Sequence, residues 1–264
     1  MKKILVTGAD GQLGMSIKKV ATQYTEFEFL FTTKEQLDIT SKQNIDAIFK
    51  DTKIDYCINC AGYTNVEQAE VTPEPAFLVN AEGVKNLAEI CKKYQSVLTH
   101  VSTDYVFDGE KETPYTVYDK PNPINQYGKS KLEGEQFIQG LLSNYYIVRT
   151  SWLYSKEYGK NFYRSILAKA KKGEALYITD EQEGCPTNTE NLADFILKLI
   201  VSKATFGMYH FCDMEAMTWF EFANKILQEH ELKQTTELTK KEYISSVKRP
   251  KYSVLKNNLI EPNP

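Results

Sequence analysis

The sequence predicts an α/β fold: a doubly wound parallel sheet followed by a smaller α/β domain. Three observations predict it. Short β-rich runs alternate with helical stretches through the first 150 residues, as in βαβ units. The runs are apolar along much of their length, which suits strands covered on both faces. The first run ends in three glycines at three-residue spacing, where a strand has to turn sharply into a helix.

The elements follow in order. The strands are "KILVTG", "EFEFLFT", "DYCINCAG", "SVLTHVSTD" and "YYIVRTSW", each rich in β-branched or aromatic residues. Between them the sequence predicts helices over 11–24, 41–51, 73–95 and 125–140. The segment "DGEKETPYTVYDKPNPINQYG" carries several turn breakers and reads as a long excursion after a strand; long ordered loops are often functional. Residues 1–150 therefore form one domain. After residue 151 the pattern is less regular, with helices near 159–172, 189–201 and 218–230. Residues 151–264 read mainly as a second domain for substrate, interleaved with the first around 185–205.

Bulk properties narrow the function. A chain of 264 residues has ample core for this arrangement. A net charge of −3 gives no footprint for nucleic acid, and the short clusters "AKAKKG" and "LTKKEY" read as solvated faces. The basic start "MKKILVTG" is too short in its apolar part for a signal peptide. No stretch approaches the ~20 apolar residues of a membrane span. The expectation is a cytoplasmic protein with no membrane partner. The five cysteines agree with it. "CINC" lies in a strand-like run, where positions three apart face opposite ways, so Cys57 and Cys60 read as buried structural thiols and no metal site is expected.

The glycine turn "TGADGQLG" carries the first chemistry. Gly8, Gly11 and Gly14 let backbone approach a pyrophosphate, and the helix behind them offers unpaired N–H groups and a positive dipole end. Strand, glycine turn and helix together predict dinucleotide binding. An acidic residue for the ribose is expected about 20 residues on. Thr32, Thr33 and Lys34 stand there instead, with Glu35 just beyond. A lysine suits a 2′-phosphate, which favours NADPH and leaves NADH possible; the competing reading is that Lys34 is a plain surface residue.

Two Tyr-x-x-x-Lys matches occur, Tyr127/Lys131 and Tyr252/Lys256. With 17 tyrosines in the chain, spacing alone decides nothing. Tyr127 opens a predicted helix, where residues four apart share a face. An ammonium beside a phenol lowers its pKa, making Tyr127 a general acid for a carbonyl oxygen that receives hydride. Thr103, at the end of a strand, adds a hydroxyl where ligands bind such sheets. Tyr252/Lys256 follows Pro250 outside the strand pattern and reads as structural.

Glycine turn, "STDYVF" and YxxxK together resemble the extended short-chain dehydrogenase/reductase superfamily. Within it, "TGADGQLG", "LDIT", "NCAGYTNVEQAE", "VNAEG", "STDYVFDG", "PINQYGKSKLEGE", "RTSWLY", "KNF" and "RPKYS" resemble the dTDP-4-dehydrorhamnose reductase family over nearly the whole chain. The resemblance implies a Rossmann domain with a small nucleotide-sugar domain. It implies hydride transfer from NAD(P)H to the C4 ketone of dTDP-4-dehydro-L-rhamnose. It makes Thr103, Tyr127 and Lys131 the catalytic set. It places Gly11, Gln12 and Leu13 at the cofactor phosphates, Asp38 and Ile39 near adenine, and Gly62, Tyr63 and Thr64 along the cofactor groove. Asp104, Trp152, Asn161 and Arg249 fall to the substrate. Bland readings stand beside these: a loop cap for Asp104, ordinary core for Trp152, a helix N-cap for Asp38, a surface ion pair for Arg249.

Some members of that family dimerise around magnesium held by glutamates. One such position is Ser16 here, and the chain ends at "LIEPNP", before the final amphipathic helix the resemblance implies. The expectation is no metal, with a homodimer left open. Two rival functions share the motifs: a nucleotide-sugar epimerase or dehydratase that recycles its cofactor, and a non-catalytic dinucleotide-binding regulatory subunit.

Overall fold

The computed structural model describes residues 1–260 except Met214, Ile244 and Leu259. The closing "LIEPNP", on which the expectation of a missing final helix falls, lies outside the described residues apart from Ile260. The first half runs β1 (Lys2–Thr7), α1 (Gln12–Val20), β2 (Phe27–Thr32), α2 (Lys42–Asp51) and β3 (Tyr56–Asn59). Two short helices follow, α3 (Val66–Val71) and α4 (Glu74–Phe77), then one π turn at Leu78–Glu82 and α5 (Gly83–Tyr94). β4 (Val97–Thr103), α6 (Gln126–Leu141) and β5 (Tyr145–Thr150) complete it.

These strands form a parallel sheet in the order β2-β1-β3-β4-β5. Alternate residues of each strand point to opposite faces. Ile4 and Val6 join Ile17 and Val20 of α1 on one side, and Leu5 joins Ile45, Phe49 and Leu87 on the other. This double burial explains the nearly unbroken apolar runs. The expected single helix over 73–95 is interrupted by the π turn, and α3, capped by Asn65, is an element the sequence pattern did not announce.

The second half contains β6 (Leu153–Tyr154), α7 (Phe162–Lys171), β7 (Leu176–Ile178), β8 (Glu183–Gly184), β9 (Thr187–Asn188) and α8 (Thr189–Val201). Then come β10 (Gly207–His210), β11 (Met217–Thr218), α9 (Trp219–Glu229) and β12 (Leu238–Lys240). Two of these return to the first sheet: β10 pairs in parallel with β5, and α8 shares a core with α1. Of the rest, β6, α7, β7, β11, α9 and β12 pack around Tyr154, Tyr163, Ile166, Phe222 and Ile226 as a separate aromatic core. The excursion after β4 is not loose. Phe107 and Tyr115 pack with Cys185, Cys212, Val254 and Leu255, and Tyr115 N–H donates to the Val254 carbonyl at 2.8 Å. Tyr252 bridges Glu183 in extended backbone, so Tyr252 and Lys256 do not share a helix face.

Candidate active site

The turn after β1 is shaped by its glycines. Gly8 has φ +60°, and its carbonyl lies only 2.5 Å from where a Cβ on Gly14 would stand. Gly11 has no side chain to cap α1, so the first N–H groups of that helix stay open. Gly11, Gln12 and Leu13 line a cleft of about 560 Å³. Asn59 to Ala61 at the end of β3, Ser102 to Asp104 at the end of β4, and Thr150 to Leu153 at the end of β5 line it too. This is the carboxyl edge of the sheet, where strand order reverses between β1 and β3. Open amides at a helix N-terminus, with no room for a Cβ behind them, fit a pyrophosphate. The Gln12 side chain spans the two halves: it donates to the Leu153 carbonyl at 3.3 Å and accepts from the Asn161 amide at 3.1 Å.

Tyr127 reaches this cleft because α6 starts close to β4. Asn125 caps the helix, accepting from Gly128 N–H at 2.8 Å, and its own amide donates to the Lys248 carbonyl at 3.0 Å. At Gly128 a Cβ would sit 2.1 Å from the Tyr105 carbonyl, so only glycine permits this approach. Asn80 braces the same turn from the π segment. Its amide donates to Ser130 Oγ and to the Tyr63 carbonyl, both at 3.0 Å, while its oxygen accepts from Tyr63 N–H at 2.9 Å. The extra residue of the π turn thus aims a side chain between the groove loop and the tyrosine helix.

The electrostatics depart from the expected pairing. Burial pushes the Tyr127 phenol up to about 12; a contact with the Thr103 hydroxyl opposes this and the charge of Asp104 adds to it. Lys131 is buried, and burial brings its amine down to about 8. Its Nζ donates to the Val101 carbonyl at 2.6 Å and lies 3.3 Å from His100 Nε2. Among the described residues no hydrogen bond joins it to the phenol, so desolvation outweighs the charge effect expected from spacing. Asp104 is buried with Oδ2 unpartnered, and burial raises it to about 7. Thr103 donates to its other oxygen at 3.0 Å.

Trp152 lines the cleft in a left-handed backbone conformation (φ +47°), uncommon for a bulky residue, and stacks on Trp219 at 3.5 Å. Gly62 and Thr64 line the cleft; Tyr63 is held by its backbone. Four residues expected at the ligands have protein partners of their own. Ile39 is buried in the core beside Gly83. Asp38 accepts from Thr40 N–H and hydroxyl at 2.9 and 2.8 Å, and Ser41, not Asp38, caps α2. Asn161 caps α7, and its amide also serves the Ser155 carbonyl at 2.8 Å. Arg249 donates to Glu67 at 2.7 Å and to Ser245 at 2.9 Å. Cys60 lies just past β3, not within it, and lines the cleft as a thiol raised by burial. Ser16 is buried between α1 and α8, donating to Thr189 at 2.7 Å. Among the described residues no cluster of His, Cys, Asp or Glu is placed to hold a metal, and no helix is long and apolar enough to cross a membrane.

The family described as "RmlD substrate binding domain" matches residues 1–263. The chain belongs to the dTDP-4-dehydrorhamnose reductase family. It is 38% identical to the dTDP-4-dehydrorhamnose reductase of Aggregatibacter actinomycetemcomitans, over 97% of this chain and 90% of the relative. It is 36% identical to a dTDP-4-keto-6-deoxy-D-glucose reductase of Streptomyces niveus, over 83% and 75%. A crystal structure of the Bacillus anthracis dTDP-4-dehydrorhamnose reductase with NADP superposes with TM-score 0.93 at 35% identity, covering 99% and 95% of the two chains. The protein is therefore an oxidoreductase on a Rossmann-type parallel sheet. Its reductase-family site contains residues the sequence did not single out. Asn59, Asn80 and His100 are polar residues embedded in largely buried segments; Asn59 and Asn80 also stood in the motifs "NCAGYTNVEQAE" and "VNAEG", with no role assigned. Trp219 had no signal beyond its size.

Proposed function

We propose that the chain reduces the C4 ketone of dTDP-4-dehydro-L-rhamnose to dTDP-L-rhamnose, with Tyr127 as proton donor. The observation that carries this reading is the convergence of Thr103, Tyr127 and Lys131 in one cleft with the glycine turn of α1. The open amides of α1 hold the dinucleotide phosphates, and NADPH is favoured over NADH because Lys34 stands exposed just past β2, where a 2′-phosphate would lie. The bound dinucleotide supplies the hydride that reaches the carbonyl carbon. Thr103 and Tyr127 bind the carbonyl oxygen as donors. Tyr127, held protonated by burial, gives its proton to that oxygen as negative charge develops. Asp104 and Trp152 position the sugar, and Arg249 reaches the diphosphate after leaving Glu67.

The test is NADPH absorbance, with dTDP-4-dehydro-L-rhamnose made in the same tube. Stoichiometric oxidation supports the reading; a recycling epimerase consumes none. The Streptomyces niveus relative gives a second reading, the same reduction on a 4-keto sugar of other configuration. Higher kcat/KM with dTDP-4-keto-6-deoxy-D-glucose than with the rhamnose precursor selects it.

A further inference from the structure

The segment "KNF" joins the small domain to the glycine turn, and the proposed reaction gives its lysine no role. Gly159, just before it, has φ +67°, and a Cβ there would stand 3.1 Å from the Gln12 Cβ. The loop before α7 therefore passes tightly over the first residue of α1. On the other side of Lys160, Asn161 holds the same residue. Its amide donates to Gln12 Oε1 at 3.1 Å, while its oxygen accepts from Arg164 N–H at 3.0 Å and starts α7. The backbone of Lys160 is thus pinned from both flanks beside the first turn of α1. Gly159 and Lys160 both line the cleft.

The cations around this loop are already engaged. Lys19 pairs with Glu157 at 2.8 Å and with Glu190 at 2.9 Å, Lys156 pairs with Glu229, and Arg164 donates to the Gly159 carbonyl at 2.8 Å. Lys160 is exposed and makes no ion pair among the described residues. Of the described residues that line the cleft, only Lys131 and Lys160 are basic. Lys131 is buried at the tyrosine end, with Nζ donating to the Val101 carbonyl. Arg249 is held by Glu67 of α3 and does not line the cleft. A pyrophosphate brings a negative charge on each phosphate, whereas a helix N-terminus offers only about half a positive charge. We infer that Lys160 is the counter-charge for the pyrophosphate of the bound dinucleotide, carried by the small domain to the first turn of α1. The substrate nucleotide has a diphosphate too, but the residues on both sides of Lys160 meet Gln12, which belongs to the dinucleotide turn. The cofactor phosphates thereby tie the two domains together along the seam where Gln12 already donates to the Leu153 carbonyl.

The inference rests on the dinucleotide-binding part of the proposed function, so binding is measured apart from turnover. Lys160→Gln removes the charge from an exposed side chain and keeps Gly159 and Asn161. The dissociation constants of NADPH and NADH, read by fluorescence, should both rise about tenfold, since both dinucleotides carry the pyrophosphate. Lys160→Arg should recover most of the loss. At 1 M salt, where exposed charges are screened, the gap between wild type and Lys160→Gln should shrink to about twofold. A salt-independent loss means a distorted loop and overturns the inference. A rise for NADPH alone assigns the cation to the 2′-phosphate and overturns it as well. Unchanged binding constants with a raised KM for the sugar nucleotide assign Lys160 to the substrate's diphosphate; no change in any of the three leaves a solvated lysine. Either result overturns the inference. If the wild type binds NADPH but oxidises none with any keto-sugar nucleotide, the reductase reading falls, while the two binding constants still decide the role of Lys160.

Discussion

Two regions of the cleft are built in opposite ways. On the sheet side the buried groups are polar and interlocked: Thr7, Asn59, His100 and Lys131 form one line, and Arg149 grips Glu135 beside it. On the small-domain side they are aromatic. Trp152 stacks on Trp219, Phe162 lies 4.5 Å from Trp219 and 5.6 Å from Phe222, and Tyr154 stacks on Tyr163 at 5.2 Å. A buried polar group has few acceptable positions, since a misplaced partner leaves it unsatisfied. An aromatic stack tolerates sliding. The first construction suits groups that must be held to tenths of an ångström for proton transfer, and the second suits a wall that accommodates a sugar.

The sharpest way to break this contrast is Tyr127→Phe. Turnover should fall by about 10²- to 10⁴-fold, while NADPH binding, followed by fluorescence, stays near wild type. Next is Glu135→Gln, which leaves the Arg149 charge buried and half-paired. Urea unfolding should show a loss of about 3–5 kcal/mol; a loss below about 1 kcal/mol would mean the sheet-side network is not rigidly interdependent.

Asp104→Asn probes the seam between the regions. The folded pKa of Asp104, about 7, lies above its ordinary 3.8. Below about pH 4 the carboxyl is protonated folded or unfolded and costs nothing. Between about pH 4 and 7 the unfolded carboxyl ionises while the folded one stays protonated, so stability is lost progressively; above 7 both states are charged and the loss is complete. The Tm of the variant should match wild type near the acid end, exceed it increasingly between about pH 4 and 7, and keep a constant lead above neutrality. A constant gap at all pH would show that Asp104 is solvated as an anion. The smallest effect is expected for Trp219→Leu on the aromatic side: KM for the sugar nucleotide rises by up to about tenfold, with kcat little changed. A collapse of kcat instead would put that wall in the chemistry.

Much of this was legible in the sequence, for identifiable reasons. The strands showed because both faces of the sheet are covered, and α6 showed as the helical stretch 125–140 that carries Tyr127 and Lys131. Context around the Tyr-x-x-x-Lys match pointed to Tyr127; its electrostatics were not visible, because burial depends on how closely Gly128 lets the helix approach the Tyr105 carbonyl. Asp38, Ile39 and Arg249 looked available for ligands. Each also has a local partner that the sequence did not show: Thr40, the core beside Gly83, and Glu67. The π turn that aims Asn80 left no periodic trace, since one extra residue only blurs a helical pattern.

The start of the tyrosine helix is tied to distant chain. Asn125 donates to the Lys248 carbonyl, and the strand-like contact of Tyr115 with Val254 and Lys256 pins the preceding excursion. A nascent polypeptide leaving the ribosome can assemble its sheet through β5 well before those partners emerge. The corner around Tyr127 must wait for them, so it should be among the last parts to gain protection from amide exchange during synthesis.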